Sequence, residues 1–245
     1  MYEIDINCDV GEGIKTESEL FPLISSCNIA CGGHIGDKVS MNNTVLLAKK
    51  FKVKLGAHPS YPDMENFGRR SMTISFKDLE NSLLEQVTDL KKILDTHGLK
   101  LHHIKPHGAL YNDIAIDSEK AQSYLNVMEV FKKEVVLFLP FNSLAIELAK
   151  KMGFVCWSEA FADRTYMPNL KLVSRTHPMS IITDSNKVFH QVKQIVKEKK
   201  ISTLEGRIMN MNADTICVHG DTPNALQILM YLSEELPKQN ILIKK

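Results

Sequence analysis

Net charge is almost absent. The 245 residues carry 30 lysines and arginines against 29 aspartates and glutamates, a formal balance of +1. That gives no electrostatic footing for a nucleic-acid backbone or an anionic bilayer. No apolar run approaches the roughly 20 residues that span a bilayer, so no membrane is expected. The N-terminal stretch MYEIDINCDVGEG lacks a basic segment followed by an apolar one. No signal peptide is therefore expected, and the chain reads as cytoplasmic. Cysteine is sparse and odd in number: Cys8, Cys27, Cys31, Cys156 and Cys217. There is no C-x-x-C, and Cys27 and Cys31 have no second pair to complete a zinc site. Reduced, partly buried thiols are expected instead. A G-x-x-x-x-G-K-[ST] phosphate loop and a G-x-S-x-G nucleophile elbow are both missing. The GEG at Gly11 to Gly13 lacks the third glycine of a dinucleotide fingerprint. No linker, repeat or low-complexity stretch divides residues 1–245, so a single domain is expected.

What is present is an ordinary globular composition, 44% hydrophobic and 24% charged, in a chain long enough to bury a large core without staples. Strand-like runs alternate with helix-like ones. EIDINC, SCNIAC, VKLGAH, LKLHHIK, EVVLFL, FVCWS and DTICVH read as strands. Between them run helical stretches with start signals at Asp37, Ser75, Asp117 or Ser118 and Asn142, and stop signals at Gly98 and Gly153. Further helices run through NKVFHQVKQIVKEKK and, with Pro223 near its first turn, through TPNALQILMYLSEEL. About seven βα units of this kind argue for parallel strands covered by helices. Periodicity alone leaves an open sheet and a barrel both possible.

The polar residues follow the strand ends. The first strand ends in Asn7, Asp9 and Glu12, the second in Asn28 and His34, the third in His58, Ser60 and Asp63. The fourth carries Lys105 and His107 within HHIKPHGALYN, which crowds imidazoles, an ammonium and a phenol into one strand mouth. The sixth ends in Glu159, Asp163 and Arg164, the seventh in His219 and Asp221. In (β/α) barrels the site is built from several strands at their carboxyl ends. Asp9, His34 and His58 suit a divalent metal as two imidazoles and a carboxylate, or a hydrogen-bonded cluster without one; both remain open. Lys105 is a candidate cation for a developing oxyanion, or the partner of Asp9 or Glu159 in a salt bridge. Arg69 and Arg70 are candidates to clamp a carboxylate. Glu159 and Asp163 are candidates for general-base work. His103, facing one side of its strand, is expected to be structural. His97, His102, His177 and His190 look like surface or loop residues.

NCDVGEG, NIACGGH, GAHPSYPD followed by FGRR, HIKPHGALYN, EAFADRTY and CVHGD occur in this order from Asn7 to Asp221. Together they resemble the LamB/YcsF family. Two departures are Gly33, where an aromatic residue often precedes the histidine, and SRTHPMSII, where a small Gly-Ala pair usually follows Ser174-Arg175. The resemblance implies an irregular seven-stranded (β/α) barrel, similar to glycoside hydrolase/deacetylase barrels. It also implies ATP-dependent hydrolysis of 5-oxo-L-proline to L-glutamate, with ATP as co-substrate and two partner subunits, B and C. In that scheme Asp9 or Glu159 activates water, His58 or His107 moves protons, and Lys105 stabilises oxyanion or phosphate charge. Arg69 or Arg70 holds the substrate carboxylate, and Glu12, His34 and His219 line the pocket. The competing expectations are a stand-alone divalent-metal-dependent hydrolase or deacetylase of a carbohydrate or amide, and a non-catalytic subunit that only holds its ligand.

Overall fold

In the computed structural model, which describes residues 1–245, the chain enters β1 (Tyr2–Val10) and a short helical turn, α1 (Glu17–Leu20). It continues through β2 (Ser26–Ala30), α2 (Lys38–Phe51), β3 (Lys54–His58), α3 (Phe76–Thr96) and β4 (His103–Ile104). Next come α4 (Gly108–Ile114), α5 (Ser118–Met128), β5 (Val136–Pro140), α6 (Leu144–Lys151), β6 (Cys156–Phe161) and α7 (Ser185–Lys193). A hairpin of β7 (Lys200–Ser202) and β8 (Ile208–Asn210) precedes β9 (Thr215–Cys217), α8 (Ala225–Lys238) and β10 (Ile241–Ile243).

Strands β1-β2-β3-β4-β5-β6-β9 lie side by side, and β9 pairs back onto β1, closing a parallel barrel of seven strands. This is the irregular (β/α) barrel expected from the sequence. Its irregularity has two sources. β1 serves three neighbours in turn: Tyr2 to Ile4 pair with β10, Asp5 to Asn7 with β9, and Asn7 to Val10 with β2. β4 contributes only two ladder residues, although His102 and Lys105 still donate backbone bonds to Leu55 and Ala57 on β3.

Local sequence explains most helix starts. Asp37 accepts from Val39 N and Ser40 N while Ser40 Oγ accepts from the Asp37 N–H, a complete capping box on α2. Ser75 caps α3, whose buried stripe is Leu79, Leu83, Gln86, Val87, Leu90 and Leu94. Asp117 caps α5. Three expectations need correction. α6 is capped by Ser143, not Asn142, which sits in the left-handed region at φ 55°. α7 stops at Lys193 and finishes in a wider π turn over Gln194–Glu198. α8 starts at Ala225, so Pro223 lies ahead of it, and Asn224 takes the left-handed turn. The β7–β8 hairpin, β10 and α4 were not expected. α4 hides in PHGALYN because proline and glycine there read as a loop.

Along β1 the pleat sends Ile4, Ile6, Cys8 and Val10 toward the helices and Asp5, Asn7 and Asp9 into the barrel, all of them buried. The apolar core is thus a ring between strands and helices. Each large aliphatic side chain fully buried there contributes about 1.5–3 kcal/mol. The barrel axis itself is polar.

Candidate active site

Lys105 is the hub of that axis. Its Nζ donates to Asp9 Oδ1 at 3.0 Å, Asn7 Oδ1 at 3.2 Å and Cys217 Sγ at 3.0 Å, and lies 3.1 Å from Glu159 Oε1. Burial alone would lower the Lys105 pKa, but Asp9, Cys217 and Glu159 hold it well above the usual range. Burial would likewise raise Asp9, yet His58 and Lys105 keep it well below the usual carboxylate range. The centre therefore contains a fixed ammonium and a fixed carboxylate.

Polar side chains brace this pair from below. Asn7 Nδ2 donates to Glu159 Oε1 at 2.9 Å and to Thr215 Oγ1 at 2.7 Å, and Thr215 donates on to Asp5. Asn28 Nδ2 donates to Asn7 Oδ1 at 2.8 Å and Asp9 Oδ1 at 2.7 Å. His103 Nε2 stands 2.8 Å from Asn28 Oδ1 and orients that amide, the structural role expected of it. Room for the His103 ring comes from Gly56, where a Cβ would lie 2.1 Å from His103 Nε2.

Above Lys105 the imidazoles gather. His58 Nδ1 lies 2.8 Å from the Lys105 carbonyl, and His107 Nε2 lies 2.9 Å from the Phe67 carbonyl. A carbonyl only accepts, so each of these nitrogens carries its ring's hydrogen when the imidazole is neutral. The remaining nitrogens, His58 Nε2 and His107 Nδ1, face each other at 3.0 Å. Two bare lone pairs cannot rest at that distance. A proton or a divalent ion between them would relieve that repulsion. Asp9 Oδ1 lies 3.4 Å from His58 Nε2, and Glu12 Oε1 lies 3.7 Å from His107 Nδ1. The Asp9, Glu12, His58 and His107 donor atoms all fall within 4.8 Å of one another. This donor set of two imidazoles and two carboxylates fits a divalent ion.

His34 is not in that set; His107 and Glu12 stand where the sequence suggested it. Its Nδ1 lies 3.0 Å from Ser60 Oγ, which donates its own hydrogen to the Tyr61 carbonyl. His34 Nε2 is therefore an acceptor, 3.1 Å from Glu12 Oε1. Burial, then Asp9, pushes Glu12 well up, while burial and His58 bring His34 down to about 3. Without an ion, a neutral Glu12 carboxylic acid donating to a neutral His34 imidazole satisfies both; as a metal ligand Glu12 would instead be a carboxylate. His34 also stacks on His107, ring centroids 3.7 Å apart. Gly68, at φ +62°, lets its loop pass over these rings: a Cβ there would stand 3.0 Å from both His34 and His107. Gln86 pins the loop by accepting from Ser60 N and donating to Ser60 O.

The other candidates lie around this centre. Asp163 accepts from the His219 N–H at 2.9 Å and Thr222 Oγ1 at 2.6 Å, and lies 2.9 Å from His219 Nδ1. Those partners occupy its oxygens, so it orients His219 rather than standing free as a base. Phe161 stacks on His219 at 4.9 Å. Arg69 pairs with Asp221 at the rim, with Arg175 Nη1 4.0 Å from the same carboxylate. Arg70 is exposed beyond it and joins none of these contacts. The sequence shows Tyr111 only as a phenol in a crowded strand mouth, and gives Gln86, Thr222 and the Phe67 carbonyl no role. Gln86 also leaves a signal, as the one polar residue in the buried stripe of α3.

The sequence model of the LamB/YcsF family matches residues 4–245. A protein of Thermococcus sibiricus (strain DSM 12597 / MM 739), named as the A subunit of 5-oxoprolinase, is 39% identical over 246 residues, 98% of this chain and 96% of the relative. One of the same name in Staphylococcus aureus (strain JH9) is 41% identical over 243 residues, 97% of each. The crystal structure of a lactam utilization protein from Thermus thermophilus superimposes with a TM-score of 0.91 at 35% identity, covering 99% of both chains. A putative cellobiose-phosphate cleavage protein from Enterococcus faecalis V583 shares the fold at a TM-score of 0.63 and 10% identity, covering 100% of this chain and 97% of that one.

Proposed function

The chain belongs to the LamB/YcsF family, and we propose that it is the lactam-binding, catalytic subunit of an ATP-dependent 5-oxoprolinase that opens 5-oxo-L-proline to L-glutamate. The relatives named as 5-oxoprolinase A subunits and the lactam utilization protein support this choice of substrate. The observation that carries it is the closed group of Asp9, Glu12, His58, His107 and Lys105 at the carboxyl ends of the strands. ATP is the co-substrate, and two partner subunits, B and C, complete the enzyme.

Opening an unstrained lactam requires an electrophilic carbonyl carbon, a nucleophilic water and a proton for the departing nitrogen. His58 Nε2 and His107 Nδ1, facing each other at 3.0 Å, are placed to move a proton between water and the ring nitrogen. Asp9, fixed as an anion 3.4 Å from His58 Nε2, favours a proton arriving there. Lys105, fixed as a cation, faces charge that develops on the carbonyl oxygen or on a phosphoryl group. Arg69 exchanges Asp221 for the substrate carboxylate. If Asp9, Glu12, His58 and His107 hold a divalent ion, it supplies a water of lowered pKa.

Glutamate release from 5-oxoproline and ATP is the test, run with this chain alone and then with its partner subunits. Release only in the reconstituted set is expected. No release from a folded, associated set would overturn the proposal. The specific observation favouring a second reading, a metal-dependent hydrolase or deacetylase acting alone, is the compact donor set itself. Chelator-sensitive amide or ester hydrolysis by the isolated chain would establish that reading instead.

A further inference from the structure

Two buried polar atoms near the centre lack hydrogen-bond partners: the Tyr111 hydroxyl and Glu159 Oε2. Tyr111 is 5% exposed and Glu159 is 2% exposed. An unpaired polar group this deep is costly, and it marks strain, an unseen partner or a ligand position. The other half of Glu159 is fully committed, since Oε1 accepts from Asn7 Nδ2 at 2.9 Å and lies 3.1 Å from Lys105 Nζ. The carboxylate is thereby locked in rotation, and Oε2 is left as a fixed acceptor. Tyr111 comes from α4, edge-on to Phe161 at 5.5 Å, and its hydroxyl lies near enough to Glu159 to feel it as a long hydrogen-bond partner, outside ordinary hydrogen-bond length. Burial and the Glu159 charge keep the phenol protonated, a donor. A fixed donor and a fixed acceptor thus lie side by side.

We infer that Tyr111 and Glu159 read the amide edge of the substrate, the Tyr111 hydroxyl donating to the lactam carbonyl oxygen and Glu159 Oε2 accepting the lactam N–H. This deepens, and rests on, the 5-oxoproline reading. In a five-membered lactam the amide is held cis, so its N–H and C=O point to the same side. A neighbouring donor–acceptor pair matches that edge; an open-chain trans amide presents the two groups on opposite sides. Tyr111 is then also a donor to the oxygen on which charge builds when the carbonyl carbon is attacked. It joins Lys105 in that task, and it explains the phenol in HIKPHGALYN.

The test uses the chain assembled with its partner subunits, 5-oxoproline, and the matching lactone acid, in which a ring oxygen replaces N–H. Tyr111→Phe keeps the ring and removes the donor. It is expected to lower kcat for 5-oxoproline by about 10²–10³-fold, with an unfolding midpoint close to the parent's. Glu159→Gln gives a sharper result. Asn7 and Lys105 both donate to the inner position, so the glutamine oxygen must sit there and its NH₂ must face the ligand. That NH₂ repels a lactam N–H and welcomes a lactone oxygen. Wild type should prefer the lactam by at least about 10²-fold in binding, and Glu159→Gln should reverse the preference. A merely structural role would weaken both ligands alike. Ligand-detected NMR reads this preference whether or not turnover occurs. If 5-oxoproline is not hydrolysed but still binds with the preference and its reversal, the amide-edge pair stands and the proposed reaction falls. Turnover within about threefold of wild type in Tyr111→Phe, or an unchanged preference in Glu159→Gln, overturns the pair. So does absence of binding by either ligand to wild type.

Discussion

Replacing Lys105 by methionine tests whether the barrel axis is an electrostatic unit. Lys105 is 2% exposed, and its Nζ lies within 3.1 Å of both Asp9 Oδ1 and Glu159 Oε1. Methionine fills much of the same volume, so the change removes the charge more than the packing. Two carboxylates are then left buried without their cation. Breaking a buried pair in this way costs about 3–5 kcal/mol. In a domain of this size that lowers the unfolding midpoint by roughly 6–20 °C. The pH dependence carries a second signature. Asp9 is depressed in the fold, so it contributes stability above its unfolded pKa of about 3.9 and loses it as pH falls through the lower folded value. Lys105 is raised, so its contribution is full below about 10.4 and is lost only as pH rises through the folded value. In Lys105→Met, burial dominates the carboxylates and their folded pKa values rise. The deficit against wild type should therefore be largest near neutral pH and shrink as pH falls toward about 5. Denaturant unfolding at several pH values measures both. A deficit below about 1 kcal/mol near neutral pH, or one that grows on acidification, would refute the placement of Lys105 as the cation of a buried network.

Gly56→Ala places a Cβ where His103 Nε2 stands; His103 must leave Asn28, and thermal unfolding should show a loss of about 1–3 kcal/mol. Asp37→Ala removes the capping box of α2, three residues beyond His34 on the β2–α2 loop; thermal unfolding should show a loss of about 1 kcal/mol. His58→Asn and His107→Asn each remove one of the facing nitrogens, and calorimetric titration with cobalt(II) or zinc should find affinity at least about 10-fold below wild type. Retention of wild-type affinity in both would leave the facing nitrogens to a shared proton.

The barrel was legible because its signals are local and repeated. Six of the seven barrel strands end in a chemically able side chain, and Asp37, Ser75 and Asp117 announce their helices by short-range capping. The candidates at the strand ends were found by position, and Asp9, Glu12, His34, His58, Lys105, His107 and Glu159 do gather in one place. What sequence could not supply was the pairing within that place. Choosing His107 over His34 beside His58 depends on which carbonyl fixes each ring, and the Phe67 carbonyl is a backbone atom with no sequence signature. Asp163 looked free as a base because Thr222 and the His219 N–H, its partners, lie 59 and 56 residues away. Tyr111 was seen only as part of a crowded strand mouth, since a helix beginning at Gly108 contradicts local propensity. β10 and the β7–β8 hairpin have three-residue strands, too short to display a period.

The polar axis also bears on how such a site stays accurate. Barrel interiors of this class are commonly filled with branched apolar side chains. Here Asn7, Asn28, His103, Thr215, Asp5 and Lys105 occupy that space, and hydrophobic stabilisation is left to the ring of strand-to-helix contacts. Replacing a buried ion pair by well-packed apolar residues is often neutral or stabilising, so stability alone does not account for Lys105 between Asp9 and Glu159. Directional bonds do what apolar packing does not. Asp9 and Glu159 each have one oxygen committed to the network, which fixes the rotation of the other. For Glu159 the committed oxygen is Oε1 and the atom left over is Oε2, beside the Tyr111 hydroxyl. Preorganisation at the mouth is thus a consequence of bonds made deeper in the barrel. Loosening Asn7 should therefore degrade ligand discrimination before it degrades binding of the carboxylate at the rim. Asn7→Ala tests this: the lactam-over-lactone preference should fall toward unity while the contribution of Arg69 to affinity persists. An equal loss of both would place the accuracy of the site in its loops instead.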